Sequence, residues 1–363
     1  MSIVLTILVF TLIVVIHEGG HFLMARKCGI FVEEFSIGMG PVLLHRKTKK
    51  GLEVSLRLFP IGGFCRMKGE EPDPDHPDEK PDPDSFNGAA IWKRALVVAA
   101  GPVMNFILAF ALLLVFNLAL GYTSREIETV DMDYPAYEQG LVPGDTVIGL
   151  NGERIHVFGK ISFLLMNYQE GEEVTLVVKN AEGEKRTLQF PLKYDEELNR
   201  YRMGFSVSAR GSIAEESAVR GFFPAFFETI AESFWYTGYE IEITIRSLGM
   251  LLTGKVGIDA LTGPIGMVSV VGETYQEAAR YGFMTVLASI GSIIILISAN
   301  LGILNLFPIP GLDGSRLIFL LVEKIRKKPM NPKIENAIYI VGFVLLFGLM
   351  IAVAFNDILR LIR

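Results

Sequence analysis

Val14-Val15-Ile16-His17-Glu18-Gly19-Gly20-His21-Phe22-Leu23 is the stretch whose reading decides the fold. It lies inside residues 1–25, an almost continuously hydrophobic run. At 1.5 Å per residue such a run reaches about 35 Å as a helix, enough to cross the hydrocarbon core of a bilayer. Two imidazoles and a carboxylate fall within five residues of it. An ionisable group left alone in lipid costs at least about 2–3 kcal/mol, so these three need partners or a task. His17 and His21 are i and i+4, one above the other on a single helix face, where two ring nitrogens can share one tetrahedral metal. Glu18 lies about 100° round the helix, beside the metal rather than on it. From there it can take a proton from a metal-bound water, the arrangement that H-E-x-x-H gives to zinc peptidases. A chance match is the bland alternative, and a membrane span makes it poorer because a plain anchor does not compensate three polar groups. A secretory signal peptide is set aside: a basic n-region and a small-residue cleavage site are both missing.

Composition bounds the rest. The 363 residues are 50% hydrophobic and 20% charged, with a mean hydropathy of +0.40. That is too apolar for an ordinary soluble protein and too charged for a wholly embedded one. The net charge of −6, with no basic stretch interleaved with aromatics, gives no reason to propose nucleic-acid binding. Cys28 and Cys65 both fall in a segment read as cytosolic, so reduced thiols are expected.

The fold class expected is an α-helical membrane protein with four transmembrane helices, a membrane-associated β-loop region and an inserted PDZ-like α+β domain. Residues 1–25 are the first span. Residues 26–92 are dense in Lys and Arg beside it, which marks the cytosolic side. They alternate like strands from Val32 to Met67, then run through an acidic, Pro-rich loop from Glu70 to Ser85 that cannot bury enough apolar surface to order itself. His76 within that loop reads as solvated. Residues 93–120 are the second span, with Gly101-Pro102-Val103-Met104-Asn105 read as a helix break set against the metal site, or as a simple Pro kink. Residues 121–210 read as an extracytoplasmic soluble domain, with strand-like runs and turns at Asn151-Gly152 and Glu182-Gly183. Residues 211–282 are an amphipathic segment at the outer interface, or a cover over the soluble domain. Residues 283–315 are the third span, 316–333 a basic cytosolic loop, and 334–358 the fourth span. Both termini are then extracytoplasmic, and the His17–His21 site lies towards the cytosolic side.

A catalytic zinc takes three protein ligands and keeps one position open. By this topology Asp313 is the only acid from another helix that reaches the depth of His17 and His21, and a metal would offset the cost of burying it. An Asp capping the helix after the Pro-Gly turn is the alternative. Asn305 can donate to a substrate backbone or to the developing oxyanion, or can satisfy carbonyls of the broken helix. Gly62, Gly63 and Phe64 belong to a turn with close backbone approach. An open strand edge there can take an extended substrate segment as a further strand, or the loop is purely structural.

Together His17-Glu18-Gly19-Gly20-His21, Gly101-Pro102-Val103-Met104-Asn105-Phe106 and Asn305-Leu306-Phe307-Pro308-Ile309-Pro310-Gly311-Leu312-Asp313-Gly314 resemble the three signature motifs of the site-2 proteases. Gly62-Gly63-Phe64-Cys65-Arg66-Met67 is similar to that family's membrane-associated β-loop. Ala136 to Gly152 resembles the core of a bacterial PDZ domain, so the chain looks like the bacterial members that carry one, in a single copy rather than in tandem. The resemblance implies a Zn2+-dependent protease of the bacterial cytoplasmic membrane. His17, His21 and Asp313 are then ligands, Glu18 the base, and Asn305 and the β-loop substrate-binding. Implied substrates are single-span membrane proteins, such as anti-sigma factors or signal-peptide remnants. The lipid bilayer and an extracytoplasmic peptide at the PDZ-like domain are the other partners. A membrane scaffold whose metal residues only brace the bundle, and a metal transporter, are the competing classes.

Overall fold

The computed structural model describes residues 2–70, 82–166, 168–257, 261–328 and 330–362. Most of the acidic, Pro-rich stretch expected to be a loop, His76 included, lies outside the described residues. In chain order the first elements are α1 (Ser2–Cys28), β1 (Val32–Lys47), β2 (Glu53–Met67), α2 (Ile91–Leu120), β3 (Tyr122–Val130) and α3 (Pro135–Glu138). Next come β4 (Thr146–Leu150), β5 (Glu153–Arg154), α4 (Gly159–Leu164), β6 (Glu173–Lys179), β7 (Lys185–Pro191), β8 (Lys193–Asp195), β9 (Arg200–Arg202) and β10 (Phe205–Arg210). The chain ends with α5 (Ile213–Arg220), α6 (Phe222–Leu252), α7 (Pro264–Ala279), α8 (Phe283–Leu306), α9 (Asp313–Arg326) and α10 (Pro332–Ile362). Two compact units result, one of Met1–Leu112 with Thr244–Arg363, the other of Leu113–Ile243.

In the first unit α1 forms because its run is apolar and free of proline; it ends on Arg26 and Lys27, with Gly29 at φ 79° turning the chain. Among the described residues, α1, α2, α8 and α10 are long and apolar enough to cross a membrane. The chain is a membrane protein. The break expected at Gly101-Pro102 is corrected: α2 runs unbroken from Ile91 to Leu120 with Pro102 inside it. One proline removes one N–H donor, and packed neighbours let the helix continue past it. α7 begins at Pro264 with Gly263 as its N-cap. The Asp357 carboxylate of α10 accepts from Gly263 N at 3.1 Å and Gly266 N at 2.8 Å, which satisfies donors that a helix start leaves bare.

The β1–β2 hairpin folds back on itself. Phe35 pairs with both Cys65 and Val54, and Ser36 with both Phe64 and Ser55, so the start of β1 runs between the two halves of β2. One face of this sheet carries Glu34, which accepts from Ser55 Oγ and Arg57 Nη2, each at 2.6 Å, and pairs with Arg66. The other carries Phe35, packed on Phe22 of α1 at 5.4 Å between ring centres.

The second unit is built round a six-stranded sheet in the order β10-β3-β4-β6-β7, with β5 paired to β4. Alternation along β6 buries Val174, Leu176 and Val178 in a core with Ile127, Leu141, Val147, Leu150 and Phe190. Asn151 and Gly152, at φ 48° and 81°, make the tight turn that joins β4 to β5. Ser212 and Glu215 form a capping box on α5. Along α6, Thr229, Ser233 and Thr237 recur every four residues on a buried stripe, where Ser233 accepts from Asn117 Nδ2 at 3.0 Å. His156 stacks on Trp235, ring centres 3.8 Å apart and 7° from parallel.

Burial pushes the Glu34 carboxyl up, but Ser55, Arg57 and Arg66 outweigh it and hold the pKa below the usual 4.5. Because the folded value is the lower one, Glu34 contributes its full stability above about pH 4.5 and loses it as the pH falls through the folded value. Hydrogen exchange at residues 34–36 and 53–57 should accelerate in that acid window beyond the intrinsic pH trend. Glu34→Gln should remove the excess.

Candidate metal centre

α1 places His17 and His21 on one face, and α2 lies directly against it. A Cβ on Gly20 would overlap the Ala100 carbonyl oxygen and come within 2.7 Å of Met104 Cγ. A Cβ on Gly101 would overlap His21 Nε2 and lie 2.9 Å from His17 Cε1. The two glycines let the helices approach closely enough for both imidazoles to rest on the α2 backbone. Gly19, by contrast, faces open space. The third residue arrives from the far end of the chain. α8 stops at Leu306, where Pro308 cannot continue the helix, and α9 starts at Asp313. Arg94 of α2 grips Glu323 of α9 through two hydrogen bonds of 3.0 and 2.5 Å, and Glu70 pairs with Arg316.

Three donor atoms meet. His17 Nε2 lies 3.2 Å from His21 Nε2, and Asp313 Oδ2 lies 3.1 and 3.3 Å from the two nitrogens. Both histidines are buried. Asp313 Oδ2 is buried without a hydrogen bond. A tetrahedral ion held about 2.0–2.1 Å from its N and O ligands keeps those ligands about 3.3 Å apart. The triangle therefore fits such an ion, and the unpartnered carboxylate oxygen supplies the negative charge it needs.

The outer ring nitrogens are held by α2. His21 Nδ1 lies 2.9 Å from the Val97 carbonyl oxygen, which accepts its N–H and leaves the Nε2 lone pair facing inward. His17 Nδ1 lies 3.3 Å from Asn105 Nδ2. Val97 was not expected at the site; Asn105 was expected against it only as part of the Gly101–Asn105 segment, with no role of its own.

Around the triangle, Glu18 of α1 lies against β2: a Cβ on Gly63 would lie 3.8 Å from Glu18 Cγ, so Gly63 lets the strand come up to this side chain. Gly62 turns at φ 83° just before it. Asn305 Nδ2 lies 3.4 Å from His17 Nε2. Phe64 is not brought to the centre. Successive strand residues point to opposite faces, and its ring lies instead under the Arg57 and Arg66 guanidiniums at 5.0 and 5.8 Å. Cys28 and Cys65 are free, buried thiols, and burial with the nearby Glu18 and Glu70 charges pushes the Cys65 thiol up.

A His-His-Asp donor set with a carboxylate beside it, its two histidines on a helix long enough to span a membrane, is the arrangement of a membrane metallopeptidase. Residues 5–349 match Peptidase family M50, the family of the site-2 proteases, and the chain belongs to it. A provisionally named zinc metalloprotease of Clostridium acetobutylicum is 34% identical over 363 residues, covering 98% of this chain and 97% of its own. A similarly named Fusobacterium nucleatum protein is 31% identical over 371 residues, covering 99% of each chain. Zinc metalloprotease RasP of Shouchella clausii is 31% identical over 441 residues, covering 98% of each.

Substitution at the three glycines separates close approach from helix propensity. Gly20→Ala and Gly101→Ala should lower bound zinc at least about tenfold, as loss of ligand orientation does. Gly19→Ala should leave metal content unchanged, and elemental analysis of the purified chains reads both.

Proposed function

We propose that the chain is an intramembrane zinc endopeptidase in which His17, His21 and Asp313 hold the ion and Glu18 is the general base. One observation carries this reading: three buried donor atoms stand 3.1–3.3 Å apart. When bound, the ion supplies positive charge that polarises a peptide carbonyl and acidifies water. Glu18, packed against β2 at Gly63, removes the proton from the attacking water and then delivers it to the leaving amine, so one carboxylate serves both halves of the reaction. The Asn305 amide, 3.4 Å from His17 Nε2, donates to the oxyanion as it forms. The strand edge at Gly62 and Gly63 takes the substrate in extended form, with main-chain hydrogen bonds fixing the scissile bond.

A transmembrane substrate must unwind before this site can use it, because a helix hides its carbonyls in its own hydrogen bonds. Single-span membrane proteins with small or helix-breaking residues, such as anti-sigma factors or signal-peptide remnants, are the substrate class proposed. The Lys and Arg residues from the end of α1 to the start of α2, among them Arg26, Lys27, Arg46, Lys47, Lys49 and Lys50, and those after Asp313 support a centre towards the cytosol of a bacterial cytoplasmic membrane, with both termini outside. The sheet unit is then extracytoplasmic, and its PDZ-like groove takes a peptide.

Glu18→Gln in lipid vesicles should cut cleavage of a Gly- or Pro-containing span about 10²–10⁴-fold while zinc content stays at the wild-type level. A poly-Leu span should be cut at least about tenfold more slowly than the Gly/Pro span by wild type. Equal rates on the two spans would refute the unwinding requirement, and a fully active Glu18→Gln would refute the role of the base.

A further inference from the structure

Asn105 sits on α2, an element that gives the centre no metal donor, and its side chain is fully buried. Its Nδ2 is the end placed 3.3 Å from His17 Nδ1, while its Oδ1 is buried without a partner. The two ends of a carboxamide have nearly the same shape, and which is oxygen follows from the surrounding hydrogen bonds. With nitrogen towards the ring, Nδ1 must accept, so the ring hydrogen sits on Nε2 and points into the triangle. With oxygen towards the ring, Nδ1–H donates, and Nε2 turns a lone pair inward.

Groups on the inner side decide between the two. Asn305 is placed with Nδ2 3.4 Å from His17 Nε2, an approach that suits a lone pair there. Asp313 Oδ2, 3.1 Å from the same nitrogen, accepts no hydrogen bond from it. His21 already has the matching state, since its Nδ1 can only donate to the Val97 carbonyl. Asn105 is also fixed in place: Ser298 Oγ of α8 donates to its backbone oxygen at 2.8 Å.

We propose that Asn105, with its amide oxygen turned to Nδ1, is the positioning residue that fixes the tautomer and ring plane of His17 and so makes its Nε2 a metal ligand. α2 then serves as a template for both imidazoles, a main-chain carbonyl setting His21 and a side-chain amide setting His17. This rests on the zinc-site reading above.

The test uses the full chain in detergent micelles, with zinc affinity from chelator competition and the visible absorption of bound Co2+ as a probe of ligand geometry. Asn105→Leu removes the acceptor at similar volume and should weaken zinc binding about 10–100-fold and alter the Co2+ bands. The thermal midpoint of the metal-free chain should stay unchanged. Asn105→Asp keeps an acceptor and no donor, and should hold zinc within about threefold of wild type with the wild-type Co2+ spectrum. Wild-type affinity in Asn105→Leu, or loss of zinc in Asn105→Asp, overturns the proposal; the second stands as a test even if the Leu variant misfolds. A wild-type chain without zinc overturns the zinc-site reading and this proposal together, whereas a zinc-bound wild type with an indifferent Asn105→Leu overturns this proposal alone.

Discussion

Two imidazole nitrogens and one carboxylate oxygen held about one ligand spacing apart, in a helical unit apolar enough to sit in a membrane, are the constraint on which the rest of the first unit depends. Such groups are costly to bury alone and inexpensive to bury around a cation. The packing serves that convergence. Two histidines one helical turn apart on α1 need no tertiary help to align, but Asp313 comes from almost the whole chain away. Its arrival depends on a helix that stops at a Pro-x-Pro-Gly turn and on a second helix braced to α2 through the Arg94–Glu323 pair. Truncating one partner of a buried charge pair leaves the other uncompensated, so this brace is costly to break.

The hairpin is the second requirement. On the proposed reading Glu18 is the base, and β2 packs against its side chain where Gly63 leaves room. The same strand is the one proposed to hold an extended peptide. The charged face of the sheet, with Glu34, Arg57 and Arg66 covering Phe64, gives the hairpin a stability of its own.

How far the sequence could be read follows from what each signal depends on. His17 and His21 were legible because i, i+4 spacing within a hydrophobic run is a local fact, and the four spans were legible for the same reason. That Asp313 would stand beside the two histidines was legible only by assuming a topology, since nothing local in the sequence joins residues so far apart. Phe64 was grouped with Gly62 and Gly63 by treating a turn as one surface, whereas a strand's period of two turns its ring to the opposite face from Gly63. Pro102 suggested a break, yet α2 continues, because tertiary packing decides whether a single missing N–H ends a helix. That Gly101 to Asn105 lie against the histidines was legible, but the contacts of Val97 with His21 and of Asn105 with His17 were hidden, because a helix that brings no donor of its own leaves no spacing to read. The folded-back register of the hairpin was equally hidden, since long-range pairing has no local signature.

The most direct measurement is zinc per chain in the purified protein, wild type against Asp313→Asn and His17→Ala. One zinc per wild-type chain, lost or weakened by orders of magnitude in both variants, is the result the convergent site predicts. A well-folded wild type without zinc, or zinc bound equally well without Asp313, would contradict it.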